Sequence, residues 1–474
     1  MTPDDTIAAI ATPLGEGGLA VIRLSGAQAL RIADRCFSPV GKGALKPSEA
    51  SSHTIHFGHI VRRIPLTPPS PHPMGRGIKG EGFVVDEVLL SVMRTPRTFT
   101  REDVVEISCH GGLLPAKTVL DTLLENGARL AEPGEFTRRA FLNGRIDLAQ
   151  AEAVTDLIHS RTELALRAAN EQLAGKLSQR INLLRNEMVK TLAHIEAHID
   201  FPDEDIAPDT KEQLTRRLAN GIAAMDELLR TANEGQILRR GIRAAIIGRP
   251  NAGKSSLLNQ LLGRDRAIVS PIPGTTRDTI EETANIRGLP VIFIDTAGLR
   301  DARDEIEQEG IRRSRQSLEQ AELILHVFDS SQPFTEEDRK YLVAGRKRII
   351  VLNKIDLPAK LISPSTLDNQ HSVSVSCLSG QGIESLKDAI RDLVWSGEIK
   401  AEMLEVMINS RHQDALNRAR TATERTLEAL RSEQTLELVA LDLRIAVNAI
   451  GEIVGKTTTE DLLDMIFSQF CIGK

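Results

Sequence analysis

Apolar residues recur with a helical period over a long stretch in the first half of the chain. Between residues 173 and 199 they are three or four positions apart, which places them on one face of an α-helix. These positions are Leu173, Leu177, Ile181, Leu184, Met188, Leu192, Ile195 and Ile199. The segment FPDEDIAPD breaks the pattern. We expect a second helix from about 209 to 233 and further helix over 402–454, where no proline interrupts the chain.

The first 143 residues combine short strand-like runs with turns. GLAVIRLSG at 18–26 and DVVEISCHGG at 103–112 predict strands that end in glycine, and the helical run after them ends at Gly127. This mixture predicts an α+β domain. Residues 66–82 are dense in proline and glycine, which suit neither a helix nor a strand interior, so we expect a flexible surface insertion there.

Residues 240–398 alternate strand and helix signals, as is typical of an α/β domain. The simplest interpretation is a multidomain α/β chain. It has an α+β N-terminal domain at 1–143, a discontinuous helical domain at 144–239 and 399–474, and an inserted domain with a mixed, mostly parallel sheet at 240–398. That the two helical parts pack together is inferred from their shared character.

Composition narrows the classes of function. The net charge of −6 provides no overall basic field for nucleic acid, although it is compatible with a local basic patch. Aromatic residues make up only 3% of the chain, so stacking of single-stranded bases on aromatic rings is not expected. Four cysteines, none in a Cys-x-x-Cys pair, indicate reduced thiols. With no signal-peptide pattern and no apolar run long enough for a membrane span, we expect a cytoplasmic location.

A phosphate-binding motif lies in RAAIIGRPNAGKSSLLNQLL, where Gly248 to Ser255 read G-x-x-x-x-G-K-S. The motif follows a β-branched run and opens a predicted helix, which is the context that a P-loop requires. Gly248 and Gly253 allow the backbone to turn its N–H groups toward a phosphate. Lys254 would reach the β- and γ-phosphates and Ser255 would offer its hydroxyl to Mg²⁺.

Two motifs complete the phosphate end of the predicted site. VIFIDTAG places Asp295 at the end of an apolar strand, where it can hold Mg²⁺ through water, and Gly298 where its N–H can reach a γ-phosphate. GTTRD at 274–278 lies between the first and third motifs, where a switch loop belongs. After DTAG stands Leu299, so the glutamine that orients water in small GTPases is missing and another polar group must take that role.

Two further motifs predict the base. IIVLNKID ends a buried strand, so that Asn353 and Asp356 are expected to face outward. A carboxylate there can accept from both the N1–H and the N2 amine of guanine, and adenine has no such pair of donors. In VSVSCLSGQGI, the turn Ser376–Leu378 can present backbone N–H groups to the guanine O6. These motifs predict GTP rather than ATP.

Taken together, the chain resembles the MnmE (TrmE) family of tRNA-modification GTPases over nearly its whole length. The strings that carry the resemblance are DTIAAIATPLGEGGLAVIRLSG, EDVVEISCHGG, PGEFTRRAFLNGRIDLAQAEAV, HIDFPDED, GRPNAGKSSLLNQL, GTTRD, DTAGLR and the terminal FCIGK. The resemblance implies a K⁺-dependent GTP hydrolase that forms a homodimer and acts with the flavoprotein MnmG. Together they install an aminomethyl or carboxymethylaminomethyl group at C5 of the tRNA wobble uridine, with a tetrahydrofolate one-carbon derivative (5-formyl or methylene) as cofactor.

The resemblance also implies site residues in the inserted domain. Ser255 and Thr276 would hold Mg²⁺, and Glu307 would position water for hydrolysis together with catalytic Lys254. The implied K⁺ ligands are Asn251, Ser270, Ile272 and Thr275. The implied GTP-binding residues are Asn251, Ala252, Gly253, Lys254, Ser255, Ser256, Ser270, Thr275, Thr276, Asp295, Thr296, Ala297, Gly298, Asn353, Lys354, Asp356, Ser376, Cys377 and Leu378. Two prolines in the loop SPIPG leave its carbonyls available but remove N–H groups.

For folate, the resemblance implies Arg23, Glu106, Arg145 and the terminal Lys474. A carboxylate such as Glu106 suits the adjacent N–H donors of a pterin, and basic groups suit its glutamate tail. Each of these residues taken alone is as readily an ordinary structural ion pair.

Two other interpretations stay open on the residues alone. One is a ribosome-assembly GTPase, which predicts a basic appended domain, whereas residues 144–235 carry both signs of charge. The other is a folate-dependent one-carbon transferase with a regulatory GTPase domain, whose hydrolysis need not accelerate with K⁺.

The terminal CIGK has the shape of a prenylation signal, but Gly473 and Lys474 do not fit such a signal. Apolar residues at helical spacing precede Cys471, so we expect a docked helix whose tail enters a pocket of the N-terminal domain. Two roles for Cys471 remain open: a packed small hydrophobe or a thiol used in the modification chemistry.

Overall fold

The computed structural model describes residues 5–63, 82–200, 211–263, 281–294, 320–335, 338, 347–361, 371–395 and 401–473. The chain divides into two compact units. One comprises Met1–Glu152 together with Thr457–Lys474, and the other comprises Ala153–Lys456. The predicted insertion at 66–82 lies outside the described residues, except that Gly82 begins a strand.

The described residues form the following strands and helices. The strands are β1 Ile7–Ile10, β2 Leu19–Ser25, β3 Phe37–Pro39, β4 Thr54–Arg63, β5 Gly82–Met93, β6 Val104–His110, β7 Arg129–Leu130, β8 Ile242–Ile247, β9 Glu282–Ile286, β10 Leu289–Phe293, β11 Leu323–Asp329, β12 Lys347–Asn353 and β13 His371–Ser374. The helices are α1 Ala29–Cys36, α2 Leu113–Glu125, α3 Glu135–Leu142, α4 Leu148–His159, α5 Glu163–Leu173, α6 Lys176–Asp200, α7 Lys211–Leu229, α8 Ala232–Arg240, α9 Lys254–Leu262, α10 Ile383–Val394, α11 Ala401–Glu405, α12 Ser410–Arg431, α13 Leu436–Val454 and α14 Glu460–Phe467.

The first unit is built on a sheet with the strand order β3-β4-β5-β6-β2-β1-β7. All neighbouring pairs are antiparallel except β1 and β7. Alternation along β2 sends Ile22 and Leu24 into a core shared with α1 and α2, while Arg23 lies on the opposite face. That opposite face is packed at β1 by Phe136 of α3.

The second unit contains a sheet with the order β13-β12-β11-β8-β10-β9. Its neighbouring strands are parallel except for β9 and β10. Every residue of β10 and β11 is buried, as expected for strands that are covered on both faces. The mixed, mostly parallel sheet predicted for this part of the chain is confirmed.

Helices of the second unit pack alongside one another. Helix α6 packs on α13, α7 packs on α12, and α12 packs on α13. The inward side chains of α6 include Leu177, Ile181, Leu184, Met188, Leu192 and Ile195, as the apolar period predicted.

The prediction of one helix across residues 173–199 was wrong at its start. Helix α5 ends at Leu173, and α6 begins at Lys176 after Gly175, whose φ of 86° lies in the left-handed region that glycine favours. Likewise, the segment predicted at 209–233 contains the whole of α7 and the start of α8, and 402–454 divides among α11, α12 and α13. Leu173 and Leu177 keep the apolar spacing across the first of these breaks, which concealed it.

Candidate nucleotide and folate sites

In the loop between β8 and α9, two glycines lie so close to neighbouring atoms that no other residue would fit. Gly248 has φ 146°, and a Cβ there would lie 2.3 Å from the carbonyl oxygen of Val327. Gly253 has φ 100°, and a Cβ there would lie 2.1 Å from Nδ2 of Asn353. Among the residues that the structure describes, no side chain caps the start of α9, so its first N–H groups are available to bind an anion.

Lys254 lies against this loop as a half-buried cation. Its Nζ donates to the carbonyl oxygens of Gly248 and Arg249, both at 2.9 Å. Burial lowers the pKa of the Lys254 amine below its ordinary value. Within the described ranges no carboxylate pairs with this amine, so a cation beside free helix N–H groups fits a phosphate.

Asn353 joins three parts of the site. Its Nδ2 donates to the carbonyl of Ala252 at 2.9 Å, and its Oδ1 accepts from the N–H of Cys377 at 3.1 Å. Asn353 is buried, so the expectation that it faces outward was wrong. Both ends of its side-chain amide are hydrogen-bonded within the protein, because the amide bridges the P-loop and the turn after β13.

Asp356 is exposed and held in place from one side. The Ser376 hydroxyl donates to its Oδ1 at 2.5 Å, and its second oxygen has no partner in the described part of the chain. This leaves an acceptor for the N–H edge of guanine.

The turn beside Asp356 offers fewer donors than predicted. The N–H of Ser376 donates to Gln381 O at 2.9 Å, and that of Cys377 donates to Asn353. Of the three predicted N–H groups, that of Leu378 is left without a partner among the described residues, and Leu378 is 88% exposed. Burial, together with the charge of Asp356, raises the pKa of the Cys377 thiol to about 11, so this thiol stays neutral.

Gln260 is a contact that the motifs did not reveal. It lies on α9 and its Nε2 donates to the carbonyl of Cys377 at 2.8 Å, which ties the P-loop helix to the turn beside Asp356. No signal in the sequence singles it out, because the contact joins residues 117 positions apart.

Most of the predicted switch and metal residues lie outside the described residues. These are Ser270, Ile272, Thr275, Thr276, Asp295, Thr296, Ala297, Gly298 and Glu307, and the predicted folate residue Lys474 also lies outside the described residues. Strand β10, which leads to position 295, pairs with the P-loop strand β8. Asn251, a predicted K⁺ ligand in the P-loop, is described: it is exposed, and its φ of 60° lies in the left-handed region.

In the first unit, Arg23 and Glu106 face each other across β2 and β6. Arg23 Nε donates to Glu106 Oε1 at 2.8 Å, and the Arg23 guanidinium lies 5.7 Å from the centre of the Phe136 ring. Arg145 has other partners: it donates to Thr98 O at 2.5 Å and lies over Phe99. The structure therefore brings Arg23 and Glu106 together, whereas the contacts of Arg145 are separate from that pair.

The C-terminal tail contacts N-terminal residues, as predicted. Helix α14 buries Leu463, Ile466 and Phe467. Beyond it, the N–H of Gly134 donates to Cys471 O at 3.4 Å, and Arg23 Nη1 donates to Gly473 O at 3.5 Å.

Cys471 itself is exposed, so the interpretation of a packed hydrophobe was wrong.

The mostly parallel sheet, the glycine-dependent loop around a half-buried lysine and the open carboxylate of Asp356 define a P-loop protein of the guanine-nucleotide-binding class. Family models agree with this class: residues 6–145 match the model described as GTP-binding protein TrmE N-terminus, and residues 148–471 match that of the MnmE helical domain. The chain belongs to the MnmE family, and it is a GTP-hydrolysing enzyme.

Curated relatives match over their full length. The tRNA modification GTPase MnmE of Geobacillus kaustophilus is 49% identical over 481 positions, which cover 100% of both chains. That of Bacillus subtilis is 46% identical and covers 99% of this chain and 100% of its own. Among solved structures, the G domain of the T. maritima FeoB iron transporter is 30% identical and covers 32% of this chain and 98% of its own, with a TM-score of 0.24. In the part of the chain that the structure describes, no helix is long and apolar enough to cross a membrane.

Proposed function

We propose that this chain is a K⁺-dependent GTPase that acts with the flavoprotein MnmG on tRNA. Together they install an aminomethyl or carboxymethylaminomethyl group at C5 of the wobble uridine. The observation that carries the proposal is the arrangement in which Asn353 ties the Lys254 loop to the turn beside Asp356. It places a cation and free helix N–H groups for phosphates on one side and a carboxylate for guanine on the other. Relatives of the same length carry the name tRNA modification GTPase, which supports tRNA as the partner.

In this proposal the chain's own groups bind and orient the nucleotide. Lys254 and the first N–H groups of α9 hold the phosphates, Asp356 accepts the guanine N–H edge, and the Leu378 N–H donates to its O6. Ser255 and Thr276 would hold Mg²⁺, and Glu307 would position the attacking water. All the GTP-binding residues named from the sequence remain part of this proposal.

Potassium is assigned to the exposed loop residue Asn251 with Ser270, Ile272 and Thr275. A neutral amide oxygen fits this ion, and the Asn251 side chain makes no hydrogen bond to any residue that the structure describes. When bound, K⁺ supplies positive charge next to the phosphates, as an arginine finger does elsewhere.

A tetrahydrofolate one-carbon derivative is assigned to the face that carries Arg23 and Glu106, with Arg145 and Lys474 as further contacts. Glu106 is half-buried and only its Oε1 is bound to Arg23. Its Oε2 is left to accept from a pterin, and the nearby tail brings Cys471 within the same unit as a thiol for the modification chemistry.

A homodimer through the N-terminal domain is supported by an uncovered sheet face. Ile55, Phe57 and Leu89 are 69%, 44% and 46% exposed on β4 and β5, where Phe57 and Leu89 are directly opposite in the ladder. Apolar side chains that cluster on an open sheet face are typical of an interface.

We also propose the domain arrangement with an inserted GTPase domain at 240–398, an N-terminal domain at 1–143 and a helical domain formed by 144–239 and 399–474. The last part of that helical domain, Thr457–Lys474, belongs to the first compact unit. Packing of α6 and α7 on α13 and α12 supports the union of the two helical segments.

Two measurements test the function. Mass spectrometry of wobble nucleosides from cells that lack this chain, complemented by wild type or by Lys254→Ala, should show modified uridine restored by wild type alone. GTP hydrolysis in K⁺ should exceed hydrolysis in Na⁺. Unchanged wobble uridines in the deletion strain would refute the tRNA role, and equal rates in the two salts would refute the potassium role.

A further inference from the structure

Two buried carboxylates, one at the last residue of the central strand β11 and one beyond it, lie in a stretch that belongs to none of the nucleotide motifs. Asp329 is 4% exposed and Asp338 is 1% exposed. We call residues 329–335 together with 338 the bridging segment. Asp329 pairs with Lys354 of the NKID motif, and Asp338 pairs with Arg249 of the P-loop. One short stretch thus holds a basic residue from each end of the nucleotide site.

At the phosphate end, the pairing fixes the P-loop backbone. Arg249 Nε lies 2.9 Å from Asp338 Oδ1, and Arg249 Nη2 donates to Pro333 O at 3.2 Å. The other oxygen of Asp338 accepts from the N–H of Thr335 at 2.9 Å. Since the carbonyl of Arg249 also accepts from Lys254 Nζ at 2.9 Å, the anchored side chain holds the backbone that orients the phosphate-binding lysine.

At the base end, Asp329 Oδ2 lies 2.7 Å from Lys354 Nζ. Its Oδ1 accepts from the N–H and the hydroxyl of Ser331 at 3.0 and 2.6 Å, and the N–H of Ser330 donates to Asn353 O at 2.9 Å. Lys354 has φ 63°, an uncommon value for a lysine, so this turn needs external support. Burial raises the pKa of the Asp329 carboxyl, but its hydrogen bonds from Lys354 and Ser331 outweigh burial and hold that pKa below its ordinary value.

We propose that Asp329 and Asp338 are positioning residues for nucleotide binding, which hold the phosphate loop and the guanine loop at one fixed separation through the bridging segment. The proposal rests on the nucleotide site proposed above. Each carboxylate acts through its basic partner. A nucleotide site whose two loops are already ordered binds its nucleotide without the entropic cost of ordering them. Loss of either ion pair should therefore weaken the binding of GDP and GTP alike. Discrimination of guanine from other bases stays with Asp356.

The test is a double-mutant cycle on the full-length protein. Fluorescent analogues of GDP and GTP are titrated against Arg249→Ala, Asp338→Asn and the double variant, and melting temperatures are measured in parallel. Each single change should weaken both nucleotides about tenfold or more, because a buried ion pair is broken and one partner is left without its counter-charge. The double variant should be no weaker than the poorer single variant, because the two residues act as one unit. Ser331→Ala, which removes a donor to Asp329, should weaken both nucleotides less.

A matched control is the more exposed ion pair of Arg287 and Asp388 in the same compact unit, where Arg287 Nε lies 2.8 Å from Asp388 Oδ1. Arg287→Ala should leave both affinities unchanged. If the buried pairs were merely structural, their loss would lower the melting temperature while the folded protein bound nucleotide normally, and that result would overturn the proposal. Additive losses of affinity in the double-mutant cycle would overturn it as well. If Asp338→Asn does not fold, the charge-neutral double variant decides, since it leaves no lone buried charge.

Lys254→Ala and Asp356→Asn distinguish failure of the proposed nucleotide site from failure of the proposed positioning role. If these variants also bind GDP like wild type, the proposed nucleotide site is wrong. If they lose binding while folded Arg249 and Asp338 variants bind normally, the site stands and the positioning role is refuted.

Discussion

Gly473, near the end of the tail, is the position at which a single methyl group should release the C-terminus. It has φ 94°, and a Cβ there would lie 2.4 Å from the carbonyl oxygen of Ile10. An alanine in the left-handed region costs about 1–2 kcal/mol, and the overlap of its Cβ with a main-chain oxygen adds to this because no rotamer moves a Cβ. The contacts that hold the tail are weaker: Gly134 donates to Cys471 O at 3.4 Å and Arg23 donates to Gly473 O at 3.5 Å. Each is long and worth at most about 1 kcal/mol, so Gly473→Ala should detach the tail.

The control is Gly43→Ala in the same unit. Gly43 has φ 76°, and a Cβ there would meet nothing within 4 Å, so it has the backbone strain without the clash. Carboxypeptidase digestion followed by mass spectrometry should remove the last residues faster from Gly473→Ala than from wild type or the control. GTP hydrolysis should persist in both variants, while tRNA modification should fall in Gly473→Ala as it does when residues 471–474 are deleted.

Equal digestion rates in the two variants would show that the tail is not held by this packing. Normal tRNA modification after deletion of 471–474 would show that the tail is an ordinary frayed end, whatever its contacts with the N-terminal strands.

Three further predictions test other groups. Asn251→Ala should abolish the stimulation of GTP hydrolysis by K⁺ while GTP still binds through Lys254, and an equal K⁺ response in mutant and wild type would place the ion elsewhere. Asp356→Asn should weaken GTP by about 2 kcal/mol or more through a mismatched polar contact and should favour xanthine nucleotides, as measured by competitive titration; unaltered GTP affinity would remove this carboxylate from the site. Burial raises the pKa of the Glu135 carboxyl, but hydrogen bonds, chiefly from Arg129, outweigh burial and hold it below the ordinary 4.5. The stabilisation is therefore complete above pH 4.5 and lost as the pH falls through the lower folded value, so Glu135→Gln should flatten the acid decline of the melting temperature.

Local pattern predicted the helices well and their ends poorly. The inward residues of α6 follow the apolar period, because burial on one face requires that spacing. The break before α6 was missed because Leu173 and Leu177 keep the same spacing across it, and only the left-handed backbone at Gly175 separates the two helices. Periodicity reports which residues are buried and does not report whether the chain between them stays helical.

The candidate sites divide in the same way. The phosphate-loop role of Gly248 and Gly253 can be predicted from the sequence, because residues other than glycine rarely adopt the backbone conformations found there. The inward orientation of Asn353 was not predictable, because an Asn-Lys-x-Asp motif records the residue types at the end of a strand and not the donors that surround them. The pairing of Arg145 with Phe99 and Thr98 likewise depends on a turn that lies far away in sequence.

The sequence by itself determined the class of protein, the order of its motifs, the preference for guanine and the long amphipathic helices, because each of these depends on a few neighbouring residues or on one repeating period. Only the tertiary structure decided which groups remain free to bind. Within the described residues, it engages the Asn353 amide in hydrogen bonds, leaves the Leu378 N–H without a partner, and pairs Arg249 with a carboxylate beyond β11. It also brought Gly473 to Arg23 across 450 positions. The physical reason is that hydrogen bonds and ion pairs are satisfied by whatever the fold brings within about 3 Å, and that proximity is not written in local spacing.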